Sequence, residues 1–186
     1  DRLHNMRTLR AMPANKQMKI AGETDYFYAP LANRLGLYNI KTELENLSFR
    51  FRCPHDYDEI EALIERDREG QAERLERFRR QIADTLSAAG IDTEVSIDYR
   101  RPYSIWRKMH KYGDDFNHLK YRHFTEIVYD TPDGMSEKEM ALHIYSVLTD
   151  AFKEKPGGIS NYIDSPKENG YQSFHVKLLA DFGRWQ

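Results

Sequence analysis

The sequence predicts a protein of the α/β (α+β) class, with a helical first part followed by a domain of alternating strands and helices. Up to about residue 89, apolar residues recur at intervals of three and four, the spacing of amphipathic helices. After Gly90 the period changes, and Val95, Ile97 and Tyr99 alternate with polar residues as in a half-buried strand. Helix caps and turn residues then separate further helices and strands.

The first part contains several helical segments. Pro13 ends the first of them, and Pro30 kinks or divides the second. The stretch "LYNIKTELENLSFRF" continues in helical register. The next helix is the longest, and Asp56 with Glu59 is a candidate capping box at its start. We place a domain boundary near residue 55, between a helical piece (1–54) and an α/β domain (55–186) whose end lies beyond this chain.

The second part follows a β-α-β-α-β order. After the first strand come the short helix "PYSIWRKMHKY", the strand "RHFTEIVYD", the helix "SEKEMALHIYSVLTDAFKE" and the strand "YQSFHVKLLADF". Ser136 and Glu139 form a capping box for the second of these helices. This order predicts helices layered on a mixed or parallel sheet.

Composition excludes several classes of protein. Of 186 residues, 40% are hydrophobic and 31% charged, which is typical of a globular protein. No apolar run has the length of a membrane helix, so we expect no membrane association. The net charge of −2 argues against direct DNA binding through bulk charge. Cys53 has no partner for a disulfide, which favours a reducing, cytoplasmic location. Because no methionine precedes Asp1, we expect a piece of a longer protein.

Basic residues surround the short helix after the first strand. Ser104, Lys108 and Lys111 share one helix face by their spacing, and Arg100 precedes the helix. Such a face is able to hold a polyphosphate. On spacing alone, however, such a run of charges more often belongs to a solvated helix with one core stripe.

The stretch "SPKENGYQSFHVKLL" (165–179) combines a turn with polar and aromatic residues. Tyr171 beside Lys167 offers a ring for stacking on a flat base and a cation for its phosphates. A structural hairpin with a half-buried Tyr171 and His175 is the alternative interpretation. Composition does not decide between the two.

Four motifs resemble RelA/SpoT alarmone synthetase/hydrolases. "SPKENGYQSFH" is similar to the guanine-nucleotide loop of these enzymes, and "YSIWRKM" to their Y-S-I-x-x-K-M motif. "DRLHNMRTL" resembles the last motif of their HD-type hydrolase domain, and "YAPLANRLGLYNIKTELENLSFRF" the helices that join hydrolase to synthetase. The four motifs occur in the family's order and span nearly the whole chain.

The resemblance implies an enzyme of the stringent response with a nucleotidyltransferase-like synthetase domain. Such a domain transfers pyrophosphate from ATP to GDP or GTP with Mg²⁺, and the hydrolase removes it from ppGpp with Mn²⁺. The implied partners are GDP, GTP or ppGpp, the hydrolase domain in cis, and the ribosome or regulatory proteins through further C-terminal domains.

The same resemblance assigns roles to individual residues. Tyr171 matches the tyrosine that stacks on guanine, and the rest of that loop corresponds to Lys167, Asn169, Gln172 and His175.

Two further sets of residues are assigned in the same way. Lys108 matches a basic residue near the ATP phosphates; Ser104 lies on its helix face, and Arg100 replaces a lysine of the family. Asp1 matches one ligand of the hydrolase Mn²⁺, and Asn5 a nucleotide contact. Asp1 alone cannot hold a metal tightly, because a site needs several ligands.

The sequence departs from the family where the synthetase binds magnesium. Tyr121 stands at the position of the Mg²⁺-binding aspartate. Glu126 and Asp130 lie an odd number of residues away and therefore point to the opposite strand face, while Asp115 precedes the strand. None of these acids is a clean substitute.

Cations of the family are also missing. Asp98 stands where the family has an arginine, and Gly158 and Ser160 stand where it has two cations. A second essential glutamate is expected beyond Gln186. Phosphoryl-type transfer depends on such metal ligands and cations.

Three functions are therefore open. The domain is a degenerate synthetase that still binds a guanine nucleotide and serves an alarmone hydrolase. Alternatively, it is an active GTP pyrophosphokinase with rearranged acids, or a purely structural domain.

Overall fold

The computed structural model describes all 186 residues and confirms the α+β class. The α-helices are α1 (Arg2–Arg7), α2 (Ala14–Glu23), α3 (Ala29–Arg34), α4 (Tyr38–Arg52), α5 (Pro54–Ala88), α6 (Pro102–Tyr112) and α7 (Glu137–Ala151). The strands are β1 (Thr93–Tyr99), β2 (His123–Tyr129), β3 (Ser160–Asn161) and β4 (Phe174–His175). A 3₁₀ turn (Leu9–Ala11) follows α1, and a π-helical turn (Thr24–Tyr28) joins α2 to α3.

The chain packs into two compact units. The first unit comprises 1–67, 100–120 and 168–171, and the second unit comprises 68–99, 121–167 and 172–186. The change between them at residue 67 falls inside α5. The domain boundary near residue 55 stays a prediction.

Alanines make up half of one core cluster of the first unit. The buried residues of this cluster are Met6, Leu9, Ala21, Ala29, Ala32 and Leu44. The alanines let α2 and α3 pack closely against α4. Ser48 of α4 is fully buried, and its hydroxyl donates to the Ala21 carbonyl oxygen at 2.7 Å. This bond satisfies a polar group that would otherwise be costly to bury.

Pro30 divides the second helical segment, as predicted. It is the second residue of α3, where a missing N–H is tolerated. The π-helical turn before it begins at Thr24, which is fully buried and donates its hydroxyl to the Ile20 carbonyl oxygen at 2.7 Å.

Aromatic rings fix α6 within the first unit. Ile105 of α6 is fully buried. The Phe49 ring of α4 lies 5.1 Å from the Trp106 ring and 5.6 Å from the Tyr103 ring, measured between ring centres. Pairs at this separation contribute about 0.5–1.5 kcal/mol beyond their buried area.

The capping box predicted at Asp56 and Glu59 is wrong. Helix α5 begins at Pro54, so Asp56 lies within its first turn. Its carboxylate accepts a hydrogen bond from Trp106 Nε1 at 3.1 Å instead. A tertiary partner 50 residues away in the chain has replaced the local one.

One apolar cluster forms the core of the second unit. Its buried members are Phe78, Ile82, Leu86, Ile91, Val95, Met140, Ile144, Leu148, Leu178 and Ala180. Those of α5 and those of α7 recur four residues apart, so each helix presents one stripe to this core.

Both strand pairs are antiparallel, whereas the β-α-β order favoured a mixed or parallel sheet. β1 pairs with β2, with Val95 opposite Ile127, and β3 pairs with β4. The long strand predicted over 171–182 is wrong in extent, because only Phe174–His175 forms a strand there. Leu178 and Leu179 make isolated bridges to Glu154 and Trp185 instead. None of the seven α-helices has the length and apolar content needed to span a membrane.

The predicted cap of α7 is confirmed in full. The Ser136 hydroxyl accepts from the Glu139 N–H at 3.2 Å, and the Glu139 carboxylate accepts from the Ser136 N–H at 2.7 Å. The bond from the Ser136 N–H, and then a second bond from the Ser136 hydroxyl to the same carboxylate at 2.7 Å, lower the pKa of Glu139 below its ordinary value.

We expect Ser136→Ala to lower the free energy of unfolding by about 1 kcal/mol, because α7 loses its N-terminal cap. Denaturant unfolding followed by circular dichroism measures the change. Ser146→Ala is the matched control, since Ser146 is exposed in the middle of the same helix and alanine favours helix there. Equal stability of both variants would contradict the capping role.

Candidate functional site

Asn169 and Tyr171 of the predicted guanine loop pack against helices of the first unit. The Tyr171 ring is half-buried, with its centre 5.4 Å from that of Tyr38 at the start of α4. Asn169 Nδ2 donates to Asn33 Oδ1 of α3 at 3.3 Å. Asn169 Oδ1 also accepts from the Tyr171 N–H at 3.3 Å, which closes an Asx turn. These contacts orient the Tyr171 ring.

Gly36 makes this approach of the loop possible. It has a φ of +72°, and a Cβ at this position would lie 2.6 Å from the Asn169 carbonyl oxygen. No side chain fits in that space. The turn between α3 and α4 is therefore shaped to receive the backbone of residue 169.

Lys167 and His175 are arranged around Tyr162 in the second unit. Lys167 Nζ lies 4.6 Å from the centre of the Tyr162 ring, and the His175 ring meets it edge-on at 5.4 Å. The Tyr162 N–H donates to the Ser173 carbonyl oxygen at 2.9 Å. The sequence reasoning missed Tyr162. It lies next to β3, whose pairing with β4 is not encoded in any sequence pattern. Gln172 of the loop is exposed.

The predicted phosphate-binding residues lie on α6 and just before it in the first unit. Ser104, Lys108 and Arg100 are half-buried. Burial, and then repulsion from Arg100 and Arg107, lowers the pKa of the Lys108 ammonium to about 8. A bound anion would remove much of this penalty.

Helix α6 itself is capped by another helix. The Tyr103 N–H in its first turn donates to the side-chain oxygen of Asn46, a buried residue of α4, at 3.2 Å. No local sequence pattern predicts this hydrogen bond, because 57 residues separate the two partners.

Tyr121, at the position expected to bind magnesium, is surrounded by cations in the second unit. Its hydroxyl accepts from Lys155 Nζ at 3.1 Å, and Lys177 Nζ lies 5.0 Å from its ring centre. Both contacts bring a positive charge to a place where a divalent cation would need carboxylate oxygens.

The acidic residues that lie close to Tyr121 in the sequence are either exposed or hydrogen-bonded to other groups. Glu126 and Asp130 are exposed. For Glu126, this agrees with its predicted position on the strand face opposite Tyr121. Asp115 belongs to the first unit, where its carboxylate accepts from the N–H groups of Asn117 and His118 at 2.9 and 3.0 Å. These bonds, with that from the His118 N–H the largest cause, lower the pKa of Asp115. Asp98 accepts from the Ser96 hydroxyl at 3.2 Å.

No group of three or more histidine, cysteine, aspartate or glutamate side chains is placed to hold a metal ion. Asp1 and Asn5 are both exposed on α1. Arg7 fastens that helix to α4 by two bonds to the Glu43 carboxylate, at 2.6 and 3.0 Å. The hydrogen bond to Arg7 is the main reason that the pKa of Glu43 is lowered.

Two family models match the chain. Residues 1–38 match an HD domain, and residues 99–184 match the region found in RelA/SpoT proteins. The second match covers α6, Tyr121 and the loop around Tyr171, where the candidate residues lie.

Curated relatives match nearly the whole chain. It is 35% identical over 185 residues to the bifunctional (p)ppGpp synthase/hydrolase SpoT of Escherichia coli K12, covering 98% of this chain and 25% of that protein. It is 36% identical over 180 residues to a GTP pyrophosphokinase of Myxococcus xanthus (97% and 23%). It is 36% identical over 191 residues to a putative chloroplastic GTP diphosphokinase, RSH1, of Arabidopsis thaliana (96% and 22%).

This chain therefore spans about a quarter of the length of these relatives. The HD match precedes the RelA/SpoT match along the chain, which is the order that the four motifs predicted. The resemblance is thus confirmed by two family models and by relatives from bacteria and a plant, and the chain belongs to the RelA/SpoT family.

Proposed function

We propose that this chain is part of a protein of (p)ppGpp metabolism, in which the synthetase-like residues 55–186 bind a guanine nucleotide without transferring pyrophosphate. The observation that carries the proposal is the environment of Tyr121. By the family resemblance Tyr121 stands at the position of a magnesium ligand, yet its hydroxyl is hydrogen-bonded to a lysine.

Loss of synthesis follows from the electrostatics of phosphoryl transfer. The transferred group carries several negative charges, and metal ions bridging the phosphates neutralise them in the transition state. Such a metal needs carboxylate oxygens, and a tyrosine beside Lys155 and Lys177 supplies none. We therefore assign Mg²⁺ a role in this domain only if the domain synthesises alarmone.

Binding of the guanine base makes different demands. A base needs a ring to stack on and polar groups at its edge, and no metal. The orientation of Tyr171 by Asn169 and Tyr38 supports this role, because a ring that is already held loses less freedom on binding. We assign Lys167, Asn169, Gln172 and His175 to the same ligand, which is GDP, GTP or ppGpp.

Hydrolysis of (p)ppGpp is the activity that we propose for the whole protein. The HD match at residues 1–38 supports it. In that site Asp1 would be one ligand of a Mn²⁺ ion and Asn5 a nucleotide contact, with the other ligands from the hydrolase domain in cis. The synthetase-like domain then acts as its regulatory or structural partner, alongside a ribosome or regulatory-protein contact through other domains.

Active synthesis is the second candidate, because two relatives carry the names GTP pyrophosphokinase and putative GTP diphosphokinase. Incubation of the intact protein with Mg-ATP and GDP separates the candidates. Alarmone product would establish an active pyrophosphokinase, and its absence is what the Tyr121 environment leads us to expect.

We expect GDP to bind the 186-residue chain and Tyr171→Ala to weaken binding roughly 5- to 150-fold, the equivalent of about 1–3 kcal/mol of stacking. Isothermal titration calorimetry measures the affinity. Tyr171→Phe keeps the ring and should bind nearly as well, and Tyr38→Ala should have a smaller effect than Tyr171→Ala. Tyr26→Ala is the control, since this tyrosine is 87% exposed.

The comparison ligand is Mg-ATP. If neither GDP nor Mg-ATP gives a heat of binding, the purely structural domain is favoured. Tight, magnesium-dependent ATP binding would show that the assignment of Tyr121 to the metal position is wrong.

Lys108 gives a pH-dependent prediction. Its pKa of about 8 lies below the ordinary 10.5, so between these values the unfolded chain binds more protons than the folded one. Stability should therefore rise with pH across this window. Competitive labelling with acetic anhydride, read by mass spectrometry, should place the titration midpoint of Lys108 near pH 8 in the folded chain and near 10.5 in denaturant.

An anion on α6 would favour the charged lysine. Pyrophosphate binding to α6 should therefore weaken as pH rises through about 8, and Lys108→Arg should remove this dependence, because arginine keeps its charge. A labelling midpoint that is the same in folded and denatured protein would contradict the effect of burial and of the neighbouring arginines.

A further inference from the structure

The second unit brings two lysine side chains to one tyrosine ring. Lys155 Nζ donates to the Tyr121 hydroxyl at 3.1 Å and lies 5.9 Å from the ring centre. Lys177 Nζ lies 5.0 Å from the same centre. All three residues are half-buried.

Backbone pairing places the lysine pair (Lys155 and Lys177) side by side. The Lys155 N–H donates to the Lys177 carbonyl oxygen at 2.9 Å, and their neighbours Glu154 and Leu178 form an antiparallel bridge. Opposed residues in such a ladder carry their side chains on the same face, with Cβ atoms roughly 4.5–5.5 Å apart. The approach of the two charges is thus set by the main chain.

Gly158 leaves room for the two lysine side chains to pack at this point. It is buried, and its N–H donates to the Lys155 carbonyl oxygen at 2.8 Å. A Cβ on this residue would lie 2.8 Å from that oxygen and 3.1 Å from Lys177 Cβ. Its lack of a side chain lets both lysine stems pack at this point.

The charge of the lysine pair is not balanced by an acid. The ion pairs of the second unit join other residues, such as Arg77 with Asp181 and Lys138 with Asp164. Like charges directly opposite each other are destabilising, and an anion between them would remove that repulsion and accept charge-assisted hydrogen bonds. Tyr121 adds a second sign of function: it is the one residue other than glycine with a positive φ, at 58°.

We propose that Lys155, Lys177 and Tyr121 form a metal-independent binding site for a phosphoryl anion, either free pyrophosphate or the terminal phosphates of a nucleotide. Lysine ammonium groups bind phosphate as point charges and need no bridging metal. The site goes beyond guanine recognition, because it requires neither Tyr171 nor a base.

The test is calorimetric titration of sodium pyrophosphate into the 186-residue chain in the presence of EDTA. We expect binding without metal, weakened roughly tenfold or more by Lys155→Gln and by Lys177→Gln, as for other lost charge-assisted hydrogen bonds. Glutamine retains much of the stem beside Gly158. Lys153→Gln is the matched control, since it removes the same charge from an exposed neighbour and should leave binding unchanged.

Several outcomes would overturn the site. They are unchanged affinity in the double glutamine variant, an equal loss in Lys153→Gln, binding only when Mg²⁺ is present, or loss confined to Lys108→Gln. If the glutamine variants unfold, pyrophosphate should still protect Lys155 and Lys177 of the wild-type chain from acetylation, and lack of protection refutes the proposal.

Nucleotides distinguish the two sources of phosphate. GDP binding that is weakened by Lys155→Gln as well as Tyr171→Ala would assign the site to a nucleotide tail. Pyrophosphate binding that persists in Tyr171→Ala, with no GDP binding in any variant, would leave this site standing while the guanine proposal fails.

Discussion

The sign of the charge around Tyr121 is the constraint on which the functional interpretation depends. A magnesium-dependent transferase concentrates carboxylates at its metal and cations around the phosphates. In the second unit, Tyr121, which we expect at the position of a metal ligand, has a phenol ring that contacts Lys155 and Lys177. The main-chain pairing places Lys155 opposite Lys177, and the missing side chain at Gly158 lets both lysines pack. Both are features of the backbone. Restoring an aspartate at position 121 would place a carboxylate beside a lysine pair, where an ion pair would compete with the metal for its oxygens.

Guanine recognition rests on a separate set of contacts. Asn169 and Tyr171 are held by α3, α4 and the turn between them, with Gly36 giving the loop backbone room. None of these contacts involves a charge or a metal. The contacts that orient Tyr171 are therefore different from those around Tyr121, so a change at Tyr121 does not require a change in the orientation of Tyr171.

Features of the fold that depend on nearby residues could be predicted from the sequence, and those that depend on distant partners could not. The cap of α7 was predictable because Ser136 and Glu139 satisfy each other within one turn. The same pattern failed at Asp56, where Trp106 supplies a stronger tertiary partner. Likewise, alternation over 171–182 indicated one strand, but its residues pair with three different segments, which periodicity does not encode. At the candidate site, Tyr171 and Lys108 were identifiable by motif, whereas Tyr162, Asn46 and the lysine pair emerge only from packing.

Retention of a ligand site without catalysis is physically reasonable. An enzyme accelerates transfer only through contacts that are stronger in the transition state than in the ground state. The metal and the cations around the transferred group are contacts of that kind, while stacking on a base is equally strong before and during reaction. A domain that loses the first set keeps ground-state affinity and becomes a sensor of its former substrate. Binding energy that once aligned two nucleotides is then available to favour one arrangement of the protein over another, provided the ligand binds the two arrangements unequally. The contacts of Asn169 and Tyr171 are suited to such a difference, because they join the loop to α3, which lies within the residues that match an HD domain, and to α4, which begins where that match ends.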